Sequence, residues 1–400
     1  MERYHPSLWR KVFVIVSEQV VCLFYLIIGA IPYLWDVFKT RILQSKENRL
    51  PSNMNELLDV KMFSRLSGKK VVHVEYADRS EQHANSTDRA WFKVKYENED
   101  NECFIFAKMQ AKTLIVCAIM SIYDIYRNEL HTYQKIKIPI ITPKVHIAKW
   151  TRSRFILAME DLRIKDVEFP CLWKDRVDIT LGKKVLSGLS KIHAKFWNNP
   201  PDGIWNDKTR PYMPRVQGLL TLYNVKRQCK DLISDEMFSL FSLAMWNFDK
   251  LRAFYSRKGL KTMIHGDSHI GNFYITKSGD IGAFDFQCVA EEHPMRDVTY
   301  FLISSFPENL LEENEKDLIH YYLKQLQFNG IHEKDIPSFD ECWEQYRLHA
   351  FYAMYAFIFS GGFSDLQDSL QTKTTISRIM RAIKRIDSEH ALYDLLDGKI

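Results

Sequence analysis

Glycine is scarce in this 400-residue chain: there are 15, and none between Gly68 and Gly182. That gap excludes a glycine-rich loop there, the usual device for bringing backbone amides close to a phosphate. Seven cysteines lie at 22, 103, 117, 171, 229, 288 and 342, an odd number with no C-x-x-C spacing. A disulfide-stapled scaffold is thereby excluded, and free thiols in a reducing compartment are expected. Charge of one sign is not in excess either. The 55 basic and 50 acidic residues give a net charge of +5, spread along the chain. Without a clustered basic face, no nucleic-acid partner is expected. The chain also lacks a long Gly/Pro linker, an internal repeat and a low-complexity tract. Apolar residues make up 46% and aromatics 13%, enough for substantial cores. At this length two packed lobes are expected rather than one.

One apolar run approaches membrane length. Val20 to Trp35 carries no charge and sits between Arg10-Lys11 and Lys39/Arg41. A span needs roughly 20 apolar residues. Extending the run to 13–37 takes in Ser17, Glu18 and Gln19, and Gly29 and Pro32 would weaken or kink a helix there. Four readings stay open for segment 1–50: a span at 13–37, an interfacial anchor, a helix packed on the main body, and a cleavable signal ending at Ile28-Gly29-Ala30.

Beyond residue 56, "KKVVHVEYAD", "RAWFKVKYENED" and "CFIFAKMQ" alternate apolar and polar residues, as strands of an antiparallel meander would. A helical pattern follows from Thr113 to about Lys135, then two strands in "PIITPKVHIAKW" and "RFILAMEDL". After residue 175 the apolar spacing turns helical, with Val185, Leu189, Ile192 and Phe196 on one face. The organisation is α+β: a β-rich lobe over 51–158, a short connection at 159–163, and a larger, mainly helical lobe over 164–400.

The most informative stretch is "MIHGDSHIGNFYITKSGDIGAFDFQ", residues 263 to 287. "FYIT" and "IGAF" flank the turn signal "KSGD", which predicts a hairpin pairing 273 with 284 and 275 with 282. Asn272 and Asp285 then meet at its open end, with Asp267 on the entering loop. Two carboxylates and an amide oxygen in one place suit Mg²⁺. A hairpin with polar ends is by itself only a hairpin. His265 and His269 have the i, i+4 spacing of a zinc pair but lack further ligands. His265 is expected to brace the loop.

"HGDSHIGN" followed by Asp285 resembles the signature of the kinase-like phosphotransferases, and in particular the ecdysteroid kinase-like and choline kinase-like branch. That resemblance implies a protein-kinase-like two-lobe fold, with a small antiparallel sheet in the N-lobe and a helical C-lobe. It implies transfer of the ATP γ-phosphate to a substrate hydroxyl, with Asp267 as the catalytic base and Asn272 and Asp285 as Mg²⁺ ligands. Lys108 in "FIFAKMQ" then meets the α- and β-phosphates, paired with Glu129 in "YRNELHTY"; Lys112 is the fallback. "LAMEDLR" resembles the hinge, with Met159 lining the adenine pocket and backbone groups of Glu160 to Leu162 meeting the base. "LSGLSKIHAKFWN" resembles the helix after the hinge, where His193 and Trp197 are assigned to packing. Asp297 in "HPMRDVTYFL" takes a structural role, fixing the loop after the metal site.

Gly266 and Gln287 favour a small-molecule kinase over a protein kinase. The glycine-free interval departs from the family pattern. "DRSEQHANSTDRA" is its replacement, with Ser80, Asn85, Ser86 and Thr87 as contacts. The alternative function is a weak or inactive pseudokinase acting as a membrane-tethered interaction protein. The acceptor would be a small-molecule alcohol among the aromatics of the C-lobe, including Trp205, Tyr212, Tyr300, Trp343, Tyr352 and Tyr355. A membrane-bound segment 13–37 would favour an apolar acceptor, with the catalytic part cytoplasmic.

Overall fold

A computed structural model describes residues 4–400 except 46–47, 79–86, 98, 172–176, 207–208, 210–214, 229–231, 257–258 and 363–368. It begins with α1 (Leu8–Phe38), which runs unbroken through Gly29 and Pro32 into a π turn at Lys39–Leu43. At Gly29 the missing side chain makes room for a neighbour. A Cβ at Gly29 would stand 2.7 Å from Ile122.

The first lobe contains α2 (Val60–Ser67), β1 (Val71–Asp78), β2 (Thr87–Tyr96), β3 (Cys103–Gln110), α3 (Leu114–Ile122), α4 (Ile125–Lys135), β4 (Val145–Trp150) and β5 (Phe155–Glu160). Its five strands form one antiparallel sheet in the order β1-β2-β3-β5-β4. The meander therefore holds for three strands, after which β5 rather than β4 joins β3. The two-residue period of a strand sorts the side chains. Phe92, Val94, Ile105, Ala107, Ile156 and Ala158 share a core with Met62, Phe63 and Leu66 of α2. Their neighbours Trp91, Phe106, Lys108 and Met159 take the opposite face, because they are one residue out of phase.

The second lobe follows a short turn at Leu162–Ile164. It comprises β6 (Val167–Glu168), α5 (Ile179–Lys195), α6 (Arg215–Gln228), α7 (Asp235–Trp246), α8 (Phe248–Tyr255), β7 (Thr262–Ile264), β8 (Phe273–Thr276), β9 (Ile281–Ala283), β10 (Ala290–Glu292), α9 (Met295–Ser305), α10 (Glu308–Phe328), α11 (Phe339–Gly362), α12 (Ser369–Arg385) and α13 (Ser388–Asp397). Helix α9 is buried along its whole length at the centre of this lobe. Among the described residues Cys22, Cys103, Cys117, Cys171 and Cys342 carry free thiols.

The β8–β9 hairpin forms, but one residue out of the expected register. Phe273 pairs with Ala283 and Ile275 with Ile281. The cause is the turn. Thr276 N–H donates to Asp280 O and Gly279 N–H to Thr276 O, with Gly279 at φ 82°, so three residues rather than two make the reversal. Phe284 N–H then donates to Asn272 O, and Asp285 follows one residue further along.

Candidate active site

Lys108 and Glu129 lie 21 residues apart in sequence and meet because β3 and α4 pack against each other. Lys108 Nζ stands 2.9 Å from Glu129 Oε1 and 2.9 Å from Asp285 Oδ1. Burial alone would push the Lys108 ammonium down, but Asp285 and then Glu129 outweigh it and hold it above its ordinary value. Burial would likewise raise Asp285, yet the cations of Lys108 and Arg89 pull its carboxyl below the usual range. The fallback lysine is elsewhere: Lys112 is exposed and 3.4 Å from Asp88.

One face of α4 organises this corner. Besides Glu129, it carries Asn128, which donates to the carbonyls of Gln287 and Val289 at 3.0 and 2.9 Å. It also carries Tyr133, whose hydroxyl accepts from Asp285 N–H at 3.3 Å. Asp285 adopts φ 65° and ψ 53°, the left-handed region that Asp and Asn enter more readily than most residues. That backbone turn aims its carboxylate at Lys108 instead of continuing β9.

Asp267 stands on the loop between β7 and β8. Asn272 Nδ2 donates to its carbonyl at 2.7 Å and to Oδ2 at 3.1 Å, and Tyr300 donates to Oδ1 at 3.0 Å. Burial, then the Asp267 charge, pushes the Tyr300 phenol well above its ordinary value, so it stays a donor. His269 Nε2 is 3.8 Å from Asp267 Oδ2. His265 is fully buried, with Nε2 3.0 Å from Phe284 O, so it braces the loop against the strand end as expected.

Two expectations need correction. Asp297 fixes the loop that carries Asp267, not the stretch after Asp285: it accepts from His265 N–H at 2.6 Å and Gly266 N–H at 2.9 Å. His193 does more than pack. Its Nε2 lies 3.2 Å from Asp297 Oδ2 and its Nδ1 2.8 Å from Tyr322 OH, all of them buried. The chain Tyr322–His193–Asp297 thus holds the Asp267 loop from beneath.

Gly266 has φ 81°, and a Cβ there would lie 1.9 Å from Cys288 O. This close approach accounts for glycine between His265 and Asp267. Gly266→Ala is expected to cost about 2 kcal/mol or more, from the left-handed backbone plus the clash. A urea midpoint equal to that of the parent protein would refute this.

At the connection between the lobes, Met159 is buried beside Leu130 and Phe106. Glu160 N–H donates to Lys144 O and Asp161 N–H to Phe104 O, while Leu162 opens the following turn. Of the replacement contacts, Ser80, Asn85 and Ser86 lie outside the described residues, and Thr87 opens β2. Sequence reading missed Arg89, which pairs directly with Lys108 across β2 and β3. A cation on a strand that follows the glycine-free stretch was the available signal.

Beside Asp267 opens a cavity of about 310 Å³. Trp205, Tyr300, Tyr352 and Tyr355 line it; Trp343 instead stacks against Phe339 and Tyr346, and Tyr212 lies outside the described residues. Three pairs of charged side chains meet in its walls. Arg296 meets Glu292 at 2.6 Å, Lys261 meets Glu291 at 3.1 Å, and Arg215 meets Glu18 of α1 at 2.6 Å.

A five-stranded lobe carrying a buried Lys–Glu pair, joined to a helical lobe carrying Asp267, Asn272 and Asp285, is a protein-kinase-like two-lobe fold. Residues 206–331 match the model of the ecdysteroid kinase-like family, which the stretch around "HGDSHIGN" resembles. Among solved structures, a choline kinase from Streptococcus pneumoniae is 16% identical, with 84% of this chain and 100% of that one covered and a TM-score of 0.45. An ethanolamine kinase from Plasmodium vivax is 11% identical, covering 85% and 92%, at 0.48. A macrolide 2′-phosphotransferase from Brachybacterium faecium is 12% identical, covering 81% and 98%, at 0.41. No curated protein matches the chain.

Proposed function

We propose that this protein is an ATP-dependent kinase that phosphorylates a hydroxyl of a small molecule seated in the cavity beside Asp267. The observation that carries the reading is the ion group at one corner of the cleft, with Lys108 held between Glu129 and Asp285. Lys108 positions the α- and β-phosphates. Arg89, facing the same side of the sheet, supplies by side chain what a glycine-rich loop supplies by backbone amides. Asp267 accepts the acceptor's proton as its oxygen bonds to the γ-phosphorus and the bridge to the β-phosphate breaks.

The donor set fits a divalent metal held jointly with phosphates. No cluster of three or more His, Cys, Asp or Glu suited to a metal occurs among the described residues. Mg²⁺ commonly takes only one or two carboxylates and completes its shell with phosphate oxygens and water. Asp285 offers a carboxylate. The Asn272 amide nitrogen is committed to Asp267, which leaves its oxygen as the ligand atom. Bound there, Mg²⁺ would neutralise charge on the transferring phosphates.

The acceptor we infer is an alcohol with an aromatic-facing body, since Trp205, Tyr300, Tyr352 and Tyr355 line the cavity. Thermal unfolding of the full chain with and without Mg·ATP tests the nucleotide site. A ligand at 100 times its Kd stabilises the folded state by about 2.7 kcal/mol. A Mg-dependent rise in midpoint is expected. A folded protein with no rise would favour the pseudokinase reading.

A further inference from the structure

Helix α1 has two different sides. One is seated on both lobes. Glu18 is buried and accepts from Arg215 N–H at 2.9 Å as well as pairing with its guanidinium. Gly29 abuts Ile122, Tyr33 is buried, and Asp36 accepts from Ser153 N–H and Oγ at 2.8 and 2.6 Å. The other side is bare and apolar. Trp9 is 84% exposed, Phe13 73%, Phe24 61% and Ile31 63%, a far larger apolar face than soluble monomers usually show.

A lipid bilayer is the partner this face fits. From Val12 to Trp35 the only charged side chain is Glu18, which points inward. That stretch is about 36 Å long, so in the membrane plane it lays a continuous apolar face along the interface. Exposed Trp9 and Trp35 mark its ends, with Arg10 and Lys11 beside one and Lys39 and Arg41 beside the other. Interfacial tryptophans and basic residues have this arrangement where anionic headgroups meet hydrocarbon. By length and composition α1 could also cross a membrane. Crossing, however, would lift Glu18 off Arg215, strand both charges, and leave a carboxylate within the hydrocarbon. Lying flat keeps every polar seat from Glu18 to Asp36.

We infer that α1 docks the protein on a bilayer in the membrane plane, without spanning it. Glu18 and Arg215 also line the cavity beside Asp267, so the docked helix is also a wall of the acceptor cavity. The acceptor consequence rests on the kinase reading; the docking does not.

The test uses the full chain with an N-terminal epitope tag, synthesised cell-free with sealed vesicles of phosphatidylcholine and phosphatidylserine. The parent protein is expected to float with the vesicles, and Phe24→Glu/Ile31→Glu to float at least about tenfold less. Both changed side chains are exposed, so an unchanged unfolding midpoint without lipid will verify that the variant folds. Protease added outside should remove the tag and digest the body together. Three results would overturn the inference: no flotation, a protected tag with a digested body, or a lipid-free dimer that the variant dissociates. None involves nucleotide, so loss of the Mg·ATP shift with flotation intact would strike the kinase reading alone.

Discussion

Asp267→Asn is expected to lower phosphate transfer by roughly 10²- to 10⁴-fold while leaving Mg·ATP affinity within a few-fold of the parent. The substitution keeps the side chain's size, and with its oxygen toward Asn272 and its nitrogen donating to the Tyr300 hydroxyl both neighbours, at 3.1 and 3.0 Å, retain a partner. It removes the oxygen that can take a proton from the acceptor. Lys108, Glu129 and Asp285 are untouched, so the nucleotide should still raise the unfolding midpoint. The measurement is ADP release in the presence of a mixture of hydroxyl-bearing metabolites, alongside the Mg·ATP shift. Unchanged turnover would remove Asp267 from its assigned role and direct attention to His269, 3.8 Å away. Loss of both turnover and the shift would mean that the loop had moved.

The parts of this site legible in the sequence are those set by local order. Asp267, Asn272 and Asp285 lie within 19 residues on one loop and hairpin, so their approach follows from a single turn. Lys108 and Glu129 were named through the resemblance to the kinase-like phosphotransferases, and they meet because α4 follows β3 and packs on it. The hairpin register was missed because "KSGD" admits both a two- and a three-residue reversal, and the φ of Gly279 decides between them. Long-range partners were not legible at all. Tyr300 meets Asp267 from 33 residues away, His193 meets Asp297 from 104, and Glu18 meets Arg215 from 197. Sequence marks such residues only as apolar-helix neighbours, and nothing in Glu18 itself distinguishes a flaw in an apolar run from a buried ion-pair partner. Its pairing changes the reading of the whole segment. A charge that looked like an interruption of a span is one of the contacts that hold α1 against the body.

Asp285→Asn is expected to abolish most of the Mg-dependent nucleotide stabilisation with a smaller effect on the protein alone. Asparagine is the right probe because Asp285 sits at φ 65°, where alanine would add about 1–2 kcal/mol of backbone strain unrelated to metal binding. In the unliganded protein the change leaves Lys108 paired with Glu129, one charge against one, and loses a charge-assisted hydrogen bond. That loss is about 1–3 kcal/mol. The liganded comparison is read against this lowered baseline. If affinity falls 100-fold, the concentration that stabilised the parent by about 2.7 kcal/mol stabilises the variant by only about 0.4 kcal/mol. Removing Mg²⁺ from the parent should reproduce the same loss, whereas removing it from the variant should change little, because the two act on one interaction. Additive losses would separate Asp285 from the metal and leave it only the role of partner to Lys108. A variant with the parent's full Mg-dependent shift would place the metal on other residues, and with it the phosphates that Lys108 is proposed to hold.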